Sequence, residues 1–122
     1  MRKEKTCQIT EKPDGNFLIE TNFDCGKKPT FLAKNPKNDE LFLFFESFDK
    51  FFVFKGNKSE GLRLCKSMYP MMLPPYSTGF VFEDEGYFYL IVHSEFENSQ
   101  EITLVYDETL KEEQLEIIPF IF

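Results

Sequence analysis

The sequence contains no tryptophan, a single histidine and only three cysteines. Any imidazole-based catalysis must therefore use His93. Cys7, Cys25 and Cys65 are odd in number, widely spaced and free of any CxxC pair, which favours reduced thiols over a disulfide framework. No apolar run approaches the roughly 20 residues that span a bilayer, and residues 1–10 do not resemble a secretory signal. We therefore expect a cytoplasmic protein without a membrane partner.

Basic residues are missing from a long central stretch: Ser67 to Leu110 contains no Lys and no Arg. Residues 1–58 hold eleven basic and nine acidic side chains, whereas residues 59–122 hold three basic and twelve acidic ones. A field of one sign attracts the opposite sign and repels nucleic acid. We therefore predict a basic protein partner and no direct nucleic-acid binding. The predicted partner-binding residues are Glu83, Asp84, Glu85, Glu95, Glu97, Glu101, Asp107 and Glu108.

Aromatic residues are abundant, with sixteen Phe and five Tyr in 122 residues. This composition excludes intrinsic disorder and is typical of one domain, residues 1–122, with a large core. The densest segment, residues 41–54, predicts two strands that reverse around residues 47–50 and are buried on both faces. The alternative is that part of this segment is exposed and forms a partner-binding patch.

Further strands follow from apolar alternation bounded by turn residues. Pro13, Asp14 and Gly15 predict a hairpin turn, and Gly86 and Asn98 mark two more turns. Pro74 and Pro75 predict a linker over residues 71–75 that is excluded from a central strand. The predicted strands cover residues 5–11, 17–22, 30–33, 79–83, 87–95, 101–107 and, interrupted at Pro119, 117–122.

Two segments predict short helices. Leu62, Cys65 and Met68 recur at helical spacing within residues 59–69, between a Ser59 N-cap and a stop at Pro70. Residues 109–115 begin with a capping-box pattern. The predicted fold class is therefore α+β, a single domain on a mainly antiparallel sheet with one or two short helices.

Motifs for catalysis are weak. His93, Glu95 and Glu97 are spaced to share one face of a continuous strand, where they could bind a divalent metal. A charged strand end gives the same pattern, so we predict no metal site, no cofactor and no catalytic residues. The segment from Gly56 to Gly61 lacks the Lys and Ser/Thr that complete a phosphate-binding loop.

These observations favour a small acidic binding protein over an enzyme. Acidic inhibitors cover the basic clefts of nucleic-acid-targeting toxins by charge complementarity, and the size, charge and predicted architecture of this chain fit an immunity protein or antitoxin of that kind. Two alternatives stay open: a structural, assembly or phage-encoded interaction protein, and a small metal-assisted enzyme that uses His93, Glu95 and Glu97.

Overall fold

The computed structural model describes residues 5–24, 26, 28–46, 50–73, 75–106 and 111–122. These residues form twelve strands and no helix, so the protein is all-β. The strands are β1 (Thr6–Glu11), β2 (Phe17–Thr21), β3 (Phe31–Lys34), β4 (Leu41–Glu46), β5 (Phe51–Asn57), β6 (Gly61–Leu64), β7 (Lys66–Leu73), β8 (Ser77–Asp84), β9 (Tyr87–Phe96), β10 (Ser99–Tyr106), β11 (Glu112–Ile118) and β12 (Phe120–Ile121).

All twelve strands join one sheet in the order β12-β2-β1-β6-β5-β4-β3-β11-β10-β9-β8-β7. Every pairing is antiparallel except that of β12 with β2. The sheet curls, because β11 pairs with β3 while β12, only one residue further along, reaches β2. At the other side, the Cys65 amide donates to the Val53 carbonyl and brings the start of β7 against β5.

The curled sheet encloses two apolar cores that share the central strands. In β4, Phe42 and Phe44 face the first core, together with Phe80, Ile91 and residues of β10. Leu41, Leu43 and Phe45 of the same strand face the second core, which contains Cys7, Ile9, Ile19 and Leu62. Since β4 is buried on both faces, the sequence prediction for residues 41–46 is confirmed.

The predicted strands outside the two helical segments are confirmed in type, with shifted ends. The turn at residues 12–16 closes through the Gly15 amide, which donates to the Lys12 carbonyl at 2.9 Å, and Gly15 has a φ of 89°. The β8–β9 hairpin turns at Glu85 and Gly86, with φ of 50° and 84°. The predicted reversal at residues 47–50 lies largely outside the described residues.

The predicted helix over residues 59–69 is wrong, and with it the α+β fold class. The Asn57 side chain accepts hydrogen bonds from the Ser59 and Glu60 amides, and Gly61 has a φ of 85°, so the chain turns into β6 instead of starting a helix. Leu62 then faces the second core and Cys65 the first. Because the chain passes from one core to the other, the alternation of buried and exposed residues is interrupted here. The resulting spacing of three between Leu62 and Cys65 resembles that of a helix.

The predicted helix over residues 109–115 is also wrong where the structure describes it. Residues 107–110 lie outside the described residues, and β11 begins at Glu112. Glu113 and Leu115 alternate as buried residues between β10 and β3, so tertiary pairing overrides the capping-box pattern.

The predicted linker over residues 71–75 is partly strand. Met71 to Leu73 belong to β7, which holds Pro70 and is the last strand of the sheet, where a residue without an amide hydrogen is tolerated. No helix long and apolar enough to cross a membrane was found in the described part of the chain.

Candidate partner-binding surface

The antiparallel meander β7-β8-β9-β10, continued by β11, has one face on the first core and one face away from it. Along β9, Ile91 is buried in the first core, whereas its neighbours Leu90 and Val92 point to the opposite side and belong to neither core. We call this opposite side the outer face. The strand register fixes its rows: Tyr69, Val81, Leu90, Val105 and Glu112 lie side by side across five strands.

The centre of the outer face is apolar. Val81, Leu90 and Val105 are half-buried by one another, and Tyr69 at the sheet edge is 53% exposed. Gly79 is buried beneath this face: a Cβ there would lie 3.0 Å from side-chain atoms of Leu73, Leu90 and Met71, which cover it. Apolar side chains at the centre of a polar surface are typical of protein interfaces.

Carboxylates lie along one side of this apolar centre. Glu101 of β10 and Glu112 and Glu116 of β11 point to the outer face and are exposed. Glu83 lies on the same face of β8, 3.7 Å from the Lys66 ammonium of the neighbouring strand. The outer face therefore combines an apolar centre with an acidic rim.

Asp84 has a different environment from the other predicted binding residues, because it is buried, with 6% exposure. Its carboxylate accepts hydrogen bonds from Lys55 Nζ at 3.0 Å and from Arg63 Nη2 at 2.9 Å, and Lys55 Nζ also lies 3.2 Å from Glu40 Oε2. We call Glu40, Lys55, Arg63 and Asp84 the Asp84 cluster. The charge of Asp84 is thus neutralised inside the protein.

Lys55 of the Asp84 cluster and the neighbouring Cys65 thiol both have raised pKa values. Burial alone would lower the pKa of Lys55, but the hydrogen bond from Lys55 to Asp84 and the charge of Glu40 outweigh it and raise that pKa above its ordinary value. Burial, with the charge of Asp84, raises the pKa of the neighbouring Cys65 thiol to about 12. A charged lysine and a protonated thiol at neutral pH fit a structural role better than acid/base chemistry.

Among the described members of the eight predicted binding residues, Glu83 and Glu101 lie on the outer face, whereas Asp84 and Glu95 point to the inner side of their strands. Glu85 and Glu97 occupy the turns at opposite ends of β9, and a strand of that length spans about 30 Å at ~3.3 Å per residue. Asp107 and Glu108 are not among the described residues. The sequence grouped these carboxylates by proximity along the chain, which the hairpins separate in space.

His93 and Glu95 do lie together, on the inner side of β9. His93 Nε2 is 3.4 Å from Glu95 Oε1 and 3.1 Å from Gln100 Oε1, and its ring packs 5.3 Å from that of Phe31. Glu97 follows the end of β9 in a turn, so the continuous strand assumed for a metal site stops short of it. Within the described ranges, no group of three or more His, Cys, Asp or Glu side chains could hold a metal ion.

Sequence reasoning missed the acidic rim on β11 and the apolar centre. The predicted helix over residues 109–115 includes Glu112 and ends beside Glu116, so it leaves both residues off the sheet face. Phe88 of the predicted strand 87–95 is 41% exposed beside this apolar centre. The sequence signal for a strand over residues 112–116 is the alternation of inward and outward side chains. Glu113 hides this alternation, because a glutamate is normally predicted to lie on the surface.

Glu113 is buried because its carboxylate has dedicated partners. It accepts a hydrogen bond from Asn35 Nδ2 at 2.9 Å, and a further hydrogen bond links it to Tyr106. The Asn35 bond lowers the pKa of Glu113, while burial and the nearby Glu113 charge raise the pKa of Tyr106 to about 12. This second polar cluster links β10 and β11 to the β3–β4 loop.

Comparison with known proteins found no matching family model, no matching curated protein and no matching solved structure.

Proposed function

We propose that this chain is a small acidic binding protein that covers a basic surface of another protein with the outer face. The proposal rests on one observation: an apolar sheet centre that no described strand covers, beside carboxylates that share its face. Among proteins that work in this way, an immunity protein or antitoxin-type inhibitor of a nucleic-acid-targeting toxin fits best, acting in the cytoplasm.

Charge supports a basic partner. The chain has a formal net charge of −7, and the stretch from Ser67 to Leu110, which contains β8, β9 and β10, has no basic residue. Nucleases and other nucleic-acid-binding toxins have basic clefts, because they must bind phosphates. Opposite charges steer such partners together and make association fast and dependent on salt.

The apolar centre supplies what charge alone does not. Binding energy concentrates in a few large side chains near the middle of an interface, where water is excluded. Leu90 and Val81 occupy that position on the outer face, and Tyr69 and Phe88 are the large aromatic residues beside them. Glu101, Glu112 and Glu116 then act as a rim that sets the association rate and the orientation of the partner.

The test uses two charge-matched triple variants of the full chain. The first carries Glu101→Lys, Glu112→Lys and Glu116→Lys on the outer face. The control carries Asp14→Lys, Glu20→Lys and Glu60→Lys, which are exposed and lie on β2 and in turns away from the meander. Both variants change the net charge equally, so any difference between them reports position and not total charge.

Both variants and the unmodified protein are used at low salt to capture partners, and the association of each purified partner is then followed by surface plasmon resonance. We expect the outer-face variant to associate at least ~10-fold more slowly than the control. Leu90→Lys should accelerate dissociation. Equal association rates for the two triple variants would remove the outer face from the proposal. Mass that rises with concentration in light scattering, without a captured partner, would favour the assembly alternative.

A further inference from the structure

A pocket opens at one end of the second core, away from the meander. It has a volume of about 160 Å³ and is lined by five apolar side chains and two charged ones. The lining residues are Lys5, Phe23, Asp24, Phe45, Phe52, Phe54 and Leu64. Four of the seven are phenylalanines, contributed by β4, by β5 and by the segment that follows β2.

Three of the four phenylalanines, Phe23, Phe45 and Phe54, pack against one another at the second core. Phe45 and Phe54 are 1% exposed and pack edge to face, with ring centroids 5.7 Å apart. Phe23 stacks on Phe54 with centroids 5.5 Å apart and an interplanar angle of 9°. At the mouth, Phe52 is 38% exposed and Leu64 is 37% exposed. The result is a fixed aromatic wall with an open side.

The size and lining of this pocket define what fits. Protein interiors are normally packed without voids of this size, and an apolar cavity of ~150 Å³ accepts one benzene-sized molecule. Ring faces and edges favour another aromatic ring over a saturated one of equal size, because their quadrupoles attract in stacked and edge-to-face arrangements.

Lys5 adds a positive charge at the mouth. Its Nζ lies 5.6 Å from the centre of the Phe23 ring, and no carboxylate of the described residues lies within ion-pair distance of it. Asp24, the other charged lining residue, accepts a hydrogen bond from the Gly26 amide at 3.1 Å. A ring inserted between the phenylalanines can thus carry a negative group that reaches the Lys5 ammonium.

We propose that this pocket is a binding site for a small single-ring aromatic carboxylate, with the ring against Phe23, Phe45 and Phe54 and the carboxylate at Lys5. The site is separate from the outer face, so neither proposal depends on the other.

The test is NMR titration of the full-length protein with three probes: phenylacetate, benzyl alcohol and cyclohexylacetate. We expect saturable shifts at the lining residues for phenylacetate, with binding weaker by several-fold for each of the other probes. Lys5→Gln should weaken the binding of phenylacetate by about 3- to 5-fold, which is the contribution of an exposed ion pair, and should leave the binding of benzyl alcohol unchanged.

Leu64→Trp fills the mouth of the pocket and should weaken the binding of phenylacetate at least ~10-fold. Met72→Trp adds the same side chain at an 83% exposed position of β7 and is the matched control, expected to bind like the unmodified protein. Shifts scattered over the surface, equal binding of phenylacetate and cyclohexylacetate, or unchanged binding in Leu64→Trp would each overturn the proposal. If the probes leave the lining residues unshifted while a captured partner protein shifts them, the pocket receives a partner side chain and the small-ligand proposal is wrong.

Discussion

At the scale of single residues, Asp84 shows how position decides the role of a charge. In the sequence it is the middle of a Glu-Asp-Glu run and resembles its neighbours. In the fold it is buried between Lys55 and Arg63, because it is the last residue of β8 on the side that faces the first core. Removing one partner from a buried charge costs more than the pair contributes, because the remaining charge loses its compensation.

Lys55→Met should therefore destabilise the protein by about 3 kcal/mol, since it leaves Asp84 and Glu40 without their shared ammonium. The matched control is Lys58→Met, whose partner Glu11 is 49% exposed, and which should cost less than about 1 kcal/mol. Urea denaturation followed by circular dichroism measures both. Equal losses for the two variants would show that the Asp84 cluster is not tightly coupled.

Stability should fall as the pH rises from about 9 to about 12. In the folded protein the pKa of Cys65 is raised from 9.0, and that of Tyr106 from 10.0, both to about 12. A raised pKa means that the folded state holds its proton more tightly, so this contribution is complete below the ordinary pKa and is lost as the pH approaches the raised one.

Urea midpoints at pH 8 and pH 11.5 measure this loss. Tyr106→Phe should show a smaller loss than the unmodified protein, because it removes one of the groups whose pKa is raised in the folded protein. Tyr76→Phe, at a 68% exposed position, should show the same loss as the unmodified protein. A midpoint that does not change with pH in this window would contradict the prediction.

At the scale of elements, the β5–β6 hairpin depends on a very close backbone approach. A Cβ at Gly56 would lie 2.1 Å from the Gly61 carbonyl oxygen, so the two strands cannot keep their spacing around any larger residue. Gly61 itself requires a φ of 85°, which favours glycine. These two glycines let β6 lie between β5 and β1, which places Leu62 in the second core.

Gly56→Ala should therefore destabilise the protein by about 2 kcal/mol or more, because a backbone atom has to move. Gly79→Ala is the comparison, since the added methyl group there meets only side-chain atoms, which can move aside. We expect a clearly smaller loss at Gly79. The denaturation midpoints of the two variants measure these losses of stability. A larger loss for Gly79→Ala than for Gly56→Ala would contradict this explanation.

At the scale of the whole molecule, the two cores share β3, β4 and β5, so neither can lose its packing without exposing the other. The protein should unfold in one transition. Cys7 lies in the second core and Cys65 in the first, and both are buried thiols that report on their own core. Phe44→Ala in the shared strand should lower stability by about 3–5 kcal/mol.

Thiol labelling across a urea series tests this in variants that retain only Cys7 or only Cys65. Both thiols should become reactive at the same urea concentration, and Phe44→Ala should shift both midpoints together. Exposure of one thiol at a lower urea concentration than the other would show that the cores unfold separately.

Local sequence determined the strands and turns that local chemistry can specify. Alternation and turn residues are sufficient for the hairpins around Gly15 and Gly86, and apolar residues on both faces are sufficient to place β4 centrally. The sequence also determined the negative net charge, since the charges of the side chains add up independently of the fold. Two helices were predicted wrongly, because a strand that crosses between cores at Cys65 and a buried Glu113 both break the alternation on which strand prediction depends.

Only the tertiary structure decided which carboxylates share a surface. The curl of the sheet buries Asp84, separates Glu85 from Glu97 by the length of β9, and places Glu112 and Glu116 on the same face as Glu101 and Leu90. Strand pairing joins residues far apart in the sequence, so no local pattern contains it. The sequence therefore determined the sign of the charge, and the fold decided where that charge can meet a partner.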